Sequence, residues 1–234
     1  MPDYFPIMLD VRGRQALVIG GDSVAAQKAT SLLASGAEVV VQSEEFCEEL
    51  LELAAQCRLS LRRKAYTPGD LAGAFVVIAS TSDMQQARTL WAEAYGRGQL
   101  INIVDVPAYC SFIMPSVLRR GQLTVAVSTG GTNPSLAKRI RHQLEGSFPP
   151  NYDAYLRLAT VARAHLRRAG VSYEQRDVFF GDFFASDILA LLSEGETMQA
   201  VMRTATLLQA YGLDVEVSDL AAEFEEKVYV NAPG

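Results

Sequence analysis

Short apolar segments separated by helical patterns constrain the fold of this chain more than any other feature. The apolar segments are residues 15–19, 37–41, 75–80 and 100–104, with a weaker, alternating one at 59–62. The first four are nearly continuous and rich in valine and isoleucine, which is typical of strands covered on both faces. Helical patterns between them occupy 24–35, 44–57 and 83–97. Because strand–helix–strand units form right-handed crossovers, the sequence predicts an α/β fold with a Rossmann-like parallel sheet.

The second half of the chain has a different pattern. Further elements are predicted as a strand at 123–128 and helices at 134–146, 151–169 and 197–211. The consecutive prolines Pro149 and Pro150 cannot continue a helix and mark a boundary. We therefore predict three parts: a Rossmann-like domain over 1–112, a small connecting region over 113–148, and an α-helical C-terminal domain over 149–234.

Composition excludes several classes of protein. Of the 234 residues, 49% are hydrophobic and 21% charged, which is close to the globular average and unlike a disordered chain. An apolar run of about 18 residues would be needed to span a membrane, and the sequence has none. The opening residues lack the pattern of a signal peptide. Three cysteines form no CxxC pair and no even set, which favours a reducing compartment. We predict a cytoplasmic protein that has no contact with a membrane.

Charge is distributed unevenly along the chain, whose net charge is −6. Residues 119–176 carry ten basic and three acidic side chains, whereas residues 177–234 carry two basic and eleven acidic ones. A basic middle indicates a polyanionic partner. The alternatives are a solvated helical face and a basic face docked on the acidic tail. Nucleic acid is a poor partner for this chain, because the whole is acidic and the basic region has no interleaved aromatics.

A glycine motif follows the first strand, where dinucleotide-binding proteins carry their fingerprint. Gly20 permits a tight turn, and the next helix would offer its N-terminal N–H groups to a diphosphate. Asp22 takes the place of the middle glycine, where its carboxylate would repel a phosphate. After the second strand, Gln42 or Ser43 would hydrogen-bond a ribose in place of the usual acid. Taken alone, the motif also fits a Rossmann turn that binds no ligand.

Two further loops carry candidate functional residues. Asp105, with Asn102 just before it, ends the fifth strand, where open parallel sheets bind their ligands, so this carboxylate could accept a proton. Its alternative role is to shape the turn before Pro107. The loop from Ser128 to Asn133 leads into a helix and is either an anion cradle or a tight turn. The two histidines form no cluster with cysteine or each other, so we predict no metal site.

Four segments together resemble the siroheme-synthase dehydrogenase family. They are YFPIMLDVRGRQALVIGG from residue 4, VAAQKATSLLASGAEVVV from residue 24, IASTSD from residue 78, and INIVDVPAYCSFIMPSVLRRGQLTVAVSTGGTNPSLAKRIR from residue 101. The resemblance covers about residues 4–148, and the run from SFIMPS to the STGG loop is its most specific part. It implies a homodimer with an NAD-binding domain, a central dimerisation region and a helical C-terminal domain. It also implies NAD-dependent oxidation of precorrin-2 to sirohydrochlorin, in siroheme or cobalamin synthesis.

The resemblance assigns roles to particular residues. Asp105 corresponds to the catalytic carboxylate of the family, and the loop of Ser128, Thr129 and Gly130 would lie beside the tetrapyrrole. Candidate cofactor-binding residues are Gly20, Gly21, Asp22, Ser23, Val24, Gln42, Ser43, Glu44, Thr81 and Asn102. Because precorrin-2 is a polycarboxylate, Lys138, Arg141 and His142 are candidates for binding it.

This chain departs from the family pattern at two places. Asp22 stands where the family has the third of three consecutive glycines, and the tail from residue 149 does not resemble the family closely. Two other functions therefore remain open. One is a sirohydrochlorin ferrochelatase or bifunctional enzyme, and the other is a tetrapyrrole-binding protein with a degraded cofactor site.

Overall fold

The computed structural model describes residues 3–230, and side chains up to residue 226. The chain forms two compact units, which are described separately below. The first comprises the described residues up to Met114 together with the loop Ser128–Asn133. The second comprises Pro115–Val127 and the chain from Pro134 onward.

A parallel five-stranded sheet is the centre of the first unit. In chain order its strands are β1 (Gln15–Ile19), β2 (Glu38–Ser43), β3 (Ser60–Arg63), β4 (Val76–Ala79) and β5 (Leu100–Ile103). Their spatial order is β3-β2-β1-β4-β5, and every neighbouring pair is parallel. Chain direction across the sheet reverses between β1 and β4, so the switch point of the topology lies between the carboxyl ends of these two strands.

Helices cover both faces of this sheet. They are α1 (Ser23–Leu33), α2 (Glu48–Ala55) and α3 (Met84–Gly96), and a short 3₁₀ turn follows at Pro107–Tyr109. Side chains of β1 alternate between two separate cores: Ala16 and Val18 pack in one, Leu17 and Ile19 in the other. This two-sided burial explains why the strands are continuous apolar runs, and the predicted α/β Rossmann-like fold is confirmed.

A β-hairpin and a helix begin the second unit. Strand β6 (Ser116–Arg120) pairs in antiparallel fashion with β7 (Leu123–Val127) as a separate two-stranded sheet, and α4 spans Pro134–Ser147. The predicted strand at 123–128 therefore exists, and its partner β6 was not predicted.

The rest of the second unit is helical, as predicted. Its helices are α5 (Tyr152–Arg168), α6 (Tyr173–Ala185), α7 (Ile188–Ser193), α8 (Thr197–Ala210) and α9 (Val217–Val230). Their core is built around the fully buried rings of Phe179 and Phe183, with Leu158 and Leu208 also buried. Within residues 3–230, no helix combines the length and the apolarity needed to cross a membrane.

Candidate functional site

A cleft of about 650 Å³ opens at the carboxyl ends of the parallel strands, within the first unit. The loops after β1, β2, β4 and β5 all contribute to its wall. The lining residues are Ile19, Gly20, Gly21, Asp22, Val24, Gln42, Ser43, Glu44, Ala65, Tyr66, Ser80, Thr81, Ser82, Met84, Gln86, Val104, Asp105 and Val106. The cleft thus brings together most of the predicted cofactor-binding residues and the predicted catalytic carboxylate.

The turn after β1 requires both of its glycines. Gly20 has φ +127°, and a Cβ added there would lie 2.8 Å from the Ser80 carbonyl oxygen. A Cβ on Gly21 would overlap the Glu45 carbonyl. The Gly21 carbonyl also accepts a hydrogen bond of 2.7 Å from the Cys47 N–H. Neighbouring backbones therefore approach this turn so closely that side chains are excluded, which leaves a backbone surface facing the cleft.

Asp22 is the N-cap of α1. Its Oδ1 accepts a hydrogen bond from the Ala25 N–H at 2.7 Å, and its Oδ2 accepts one from the Ser80 hydroxyl at 2.9 Å. The sequence predicted that the carboxylate at this position would repel a phosphate. The structure shows that the carboxylate occupies part of the N-terminus of α1 that a diphosphate would otherwise use.

Gln42 is buried, and its amide is engaged inside the protein. Both of its N–H groups are used, one by Asp70 Oδ2 at 2.7 Å and the other by the Ala65 carbonyl at 3.3 Å, while its oxygen accepts from Arg62 at 3.1 Å. Burial raises the pKa of Asp70, but hydrogen bonds from Lys64 and Gln42 outweigh it and hold this pKa well below its ordinary value. No donor of the amide remains for a ribose, but its oxygen has a second lone pair and Gln42 lines the cleft, so the ribose contact stays a prediction.

The next residues of β2 and its loop remain well placed for a ribose. Ser43 is half-buried and Glu44 exposed, and both line the cleft. The backbone carbonyl of Glu44 accepts a hydrogen bond of 2.9 Å from Arg63, which fixes the loop. On the loop after β4, Thr81 also lines the cleft, and its hydroxyl accepts from the Asp83 N–H at 3.2 Å.

Two of the remaining predicted cofactor residues lie elsewhere. Ser23 begins α1 with an exposed side chain outside the lining of the cleft. The Asn102 amide donates to the Phe112 carbonyl at 3.0 Å and belongs to the packing of the segment after β5. Asn102 alternates with Ile101 and Ile103, which are buried in one core of the sheet. Asn102 thus lies outside the described lining of the cleft, and its contact with a cofactor stays a prediction.

Tyr66 was missed by the sequence analysis although it lines the cleft. Its hydroxyl donates a hydrogen bond of 2.6 Å to Glu93 Oε2. Burial and the adjacent Glu93 carboxylate raise the pKa of Tyr66 above its ordinary value, so the phenol stays protonated. Tyr66 lies on an irregular segment between β3 and β4, where no periodicity marks a residue as part of a site.

Asp105 follows β5 in a backbone conformation that few side chains adopt. Its φ is +59°, in the left-handed region, and a hydrogen bond of 3.1 Å from the Val106 N–H to the Ile103 carbonyl closes the turn around it. Aspartate tolerates this region better than most residues, and such strain is found often at functional sites. The two roles considered for Asp105 are therefore compatible, since it shapes the turn before Pro107 and also lines the cleft.

The Ser128–Asn133 loop uses its hydroxyls internally. The Ser128 hydroxyl accepts from the Gly130 N–H at 3.1 Å, and the Thr129 hydroxyl accepts from the Asn133 N–H at 3.1 Å. Gly130 has φ +64°, which suits a tight turn. The loop belongs to the first unit but not to the described lining of the cleft, so these three residues stay predictions for the substrate.

The candidate basic residues on α4 differ in their surroundings. Lys138 is exposed, whereas Arg141 and His142 both contact Glu145: Arg141 forms an ion pair with it, and His142 Nδ1 lies 3.0 Å from its Oε2. The hydrogen bond from His142, aided by the charge of Arg141, lowers the pKa of Glu145. Lys138, Arg141 and His142 belong to the second unit and stay predictions for substrate binding.

On α5, part of the basic region docks on the acidic tail. Arg168 pairs with Glu223 of α9 at 2.9 Å, and His165 Nε2 lies 3.2 Å from the same carboxylate. The Arg157 guanidinium lies over the Phe224 ring, 4.9 Å from its centroid. One alternative considered for the charge asymmetry therefore holds for α5. Across residues 3–230, no cluster of three or more histidine, cysteine, aspartate or glutamate side chains is arranged to hold a metal.

Fold and cleft define a Rossmann-type protein of the dinucleotide-binding class. Accordingly, residues 7–116 match the family model described as "Putative NAD(P)-binding". Residues 120–147 match the model described as "Sirohaem biosynthesis protein central". The chain belongs to the family of siroheme synthases and precorrin-2 dehydrogenases.

Individual relatives agree with this assignment. The chain is 34% identical over 220 residues to the siroheme synthase of Photorhabdus laumondii, covering 94% of this chain and 47% of that protein. It is 37% identical over 193 residues to the siroheme synthase of Ectopseudomonas mendocina, covering 82% and 41%. The chain thus spans less than half the length of these curated relatives. Among solved structures, "SirC, precorrin-2 dehydrogenase" matches with a TM-score of 0.71 and 25% identity, covering 87% of this chain and all of that one.

Proposed function

We propose that this protein catalyses the NAD-dependent oxidation of precorrin-2 to sirohydrochlorin, in siroheme or cobalamin synthesis. The observation that carries the proposal is the position of Asp105, which lines the same cleft as the glycine turn after β1. The names of the relatives, siroheme synthase and precorrin-2 dehydrogenase, support the reaction.

The cleft fits a dinucleotide. Its glycine turn follows β1 at the switch point of the sheet, where this class of fold places the diphosphate, and Gly20 and Gly21 carry no side chain that would occupy that place. Ser43 and Glu44 supply acceptors for a ribose, and neither residue is basic, which favours NAD over NADP. When bound, NAD⁺ supplies a hydride acceptor.

Asp105 would act on the proton that the substrate loses during oxidation. Oxidation of the substrate removes a hydride, which bound NAD⁺ would accept, and a proton, which Asp105 would accept or whose bond it would orient. Asp105 is exposed at the edge of the cleft, where a large substrate can reach it. The hydrogen-bonded turn that holds its backbone at φ +59° places the Asp105 Cα at this edge, from which the carboxylate extends.

The substrate would be held by polar and basic side chains. We assign Ser128, Thr129 and Gly130 to positioning the macrocycle, and Lys138, Arg141 and His142 to its carboxylates. Within this proposal, residues 1–112 hold the cofactor and 113–148 form the interface of a homodimer. Residues 149–234 form the helical C-terminal domain of this proposal. The three cysteines are unpaired, which supports a cytoplasmic location.

Anaerobic turnover of precorrin-2 tests the proposal. With NAD⁺ present, we expect nicotinamide reduction and sirohydrochlorin formation in equal amounts, and no product when NAD⁺ is omitted. Tight tetrapyrrole binding without turnover would overturn the proposal and favour a carrier. Consumption of sirohydrochlorin that depends on added iron and needs no cofactor would indicate a chelatase.

A further inference from the structure

Asp22 connects two loops on opposite sides of the switch point in the sheet. It lies on the turn after β1, and Ser80, whose hydroxyl donates to it at 2.9 Å, lies on the loop after β4. Since β1 and β4 are neighbours in the sheet, this hydrogen bond spans the crevice where a doubly wound sheet places the diphosphate of its ligand. The other carboxylate oxygen caps α1 through the Ala25 N–H.

The described lining of the cleft contains no cationic side chain to offset this carboxylate. Its ionisable members are Asp22, Glu44, Asp105 and the tyrosine Tyr66, with no lysine, arginine or histidine. A helix N-terminus attracts anions through its unpaired N–H groups and the helix dipole. At α1 that attraction is already partly used by a carboxylate of the chain itself.

A carboxylate at this place opposes a diphosphate in two ways. It uses the Ala25 N–H that a phosphate oxygen would accept from, and its charge repels the phosphate across a short distance in a partly enclosed cleft. Both effects act on any ligand with a diphosphate, and neither acts on a nucleoside without phosphate. The penalty is the same for the oxidised and the reduced dinucleotide, because both carry the diphosphate.

We propose that Asp22 is an affinity-determining residue of the cleft, a built-in competitor for the diphosphate that Ser80 holds in place. Its carboxylate weakens dinucleotide binding and so keeps exchange of the reduced for the oxidised cofactor fast. This inference rests on the proposed function, in that the cleft must hold a dinucleotide. Uniform weakening of this kind raises KM and, where product release limits turnover, raises kcat as well.

Asp22→Asn is the sharpest variant for a test. Asparagine is as good an N-cap as aspartate, and its amide can still meet Ser80, so the change removes charge and little else. Titration calorimetry on the whole chain would measure Kd for NAD⁺, NADH, ADP-ribose and adenosine. We expect the three diphosphate ligands to bind about tenfold more tightly, as Coulomb estimates at intermediate dielectric suggest, and adenosine to be unchanged.

Asp83→Asn is the matched control. Asp83 is the N-cap of α3, accepts from the Gln85 N–H at 2.8 Å, and lies outside the lining of the cleft. We expect its Kd values to equal those of the wild type. Ser80→Ala tests the second half of the inference: without the hydroxyl, the Asp22 carboxylate is no longer held against the diphosphate, which should tighten NAD⁺ binding about threefold in the wild-type background and not in Asp22→Asn.

The outcomes separate this inference from the proposed function. Steady-state kinetics should show Asp22→Asn lowering KM for NAD⁺ and lowering kcat with it. Unchanged or weaker NAD⁺ binding in Asp22→Asn, or equal tightening of adenosine, would overturn the role of Asp22 while the wild type still binds NAD⁺. Failure of the wild type and both aspartate variants to bind any dinucleotide would overturn the proposed function and the inference with it.

Discussion

Replacing Gly21 by alanine should damage both stability and the cofactor cleft. The added Cβ would overlap the carbonyl of Glu45, which is backbone and cannot rotate away as a side chain could. Either the turn after β1 or the loop after β2 must shift, and the hydrogen bond of 2.7 Å between the Cys47 N–H and the Gly21 carbonyl is strained. Overpacking of this kind costs about 1–3 kcal/mol of unfolding free energy.

Gly96→Ala is the control for this prediction. Gly96 ends α3, and a Cβ added there meets nothing within 4 Å. Alanine in place of a helical glycine changes stability by about 0 to 1 kcal/mol in the favourable direction. The two variants therefore make the same chemical change, and we expect them to change the free energy of unfolding in opposite directions.

Urea unfolding followed by circular dichroism would measure the free energy of unfolding of both variants. Titration with NAD⁺ would measure the affinity of the cleft for the cofactor. We expect Gly21→Ala to unfold at a lower urea concentration and to bind NAD⁺ at least about tenfold more weakly, because the displaced loops line the cleft. Equal stability and equal NAD⁺ affinity of Gly21→Ala and Gly96→Ala would refute the close approach inferred at this turn.

Three further predictions concern interactions that support the site or the helical part. Gln42→Leu should destabilise the protein by about 1–3 kcal/mol in urea unfolding, since the buried partners of its amide lose their hydrogen bonds. Because hydrogen bonding depresses the pKa of folded Asp70 below its ordinary value of 3.8, its stabilising contribution is complete above that value and is lost on further acidification. Asp70→Asn should therefore flatten the fall in stability below about pH 4, and an unchanged pH profile would contradict the network. Arg168→Ala should cost no more than about 1 kcal/mol in thermal unfolding, because the Arg168 side chain is largely exposed and Glu223 keeps its contact with His165.

The parallel sheet could be predicted because burial on both faces leaves a continuous apolar signal. The runs that form β1, β2, β4 and β5 are nearly continuous in apolar residues and are separated by helical patterns, which is typical of parallel strands. Strand β6, Ser116–Arg120, ends in two arginines and has no such signal. Helix α6 also exposes large hydrophobic side chains, Tyr173, Val178 and Phe184, besides burying Phe179 and Phe183, and this obscures the helical period.

The site was predictable in position and less so in detail. The rule that ligands bind at the carboxyl ends of parallel strands correctly placed the glycine turn, Ser43 and Asp105 in one cleft. It could not show that Gln42 turns inward, since its partner Asp70 lies 28 residues further along the chain and is brought close only by folding. The same holds for Asp22, whose partner Ser80 is 58 residues away.

The role of Asp105 is tested most directly by Asp105→Asn. Asparagine tolerates the left-handed backbone at this position, so the fold and the cleft should be kept. We expect NAD⁺ and tetrapyrrole affinities close to those of the wild type, and anaerobic precorrin-2 turnover lower by about 10²–10⁴-fold, the usual contribution of a general acid–base group. Full turnover by a correctly folded Asp105→Asn variant would contradict the account.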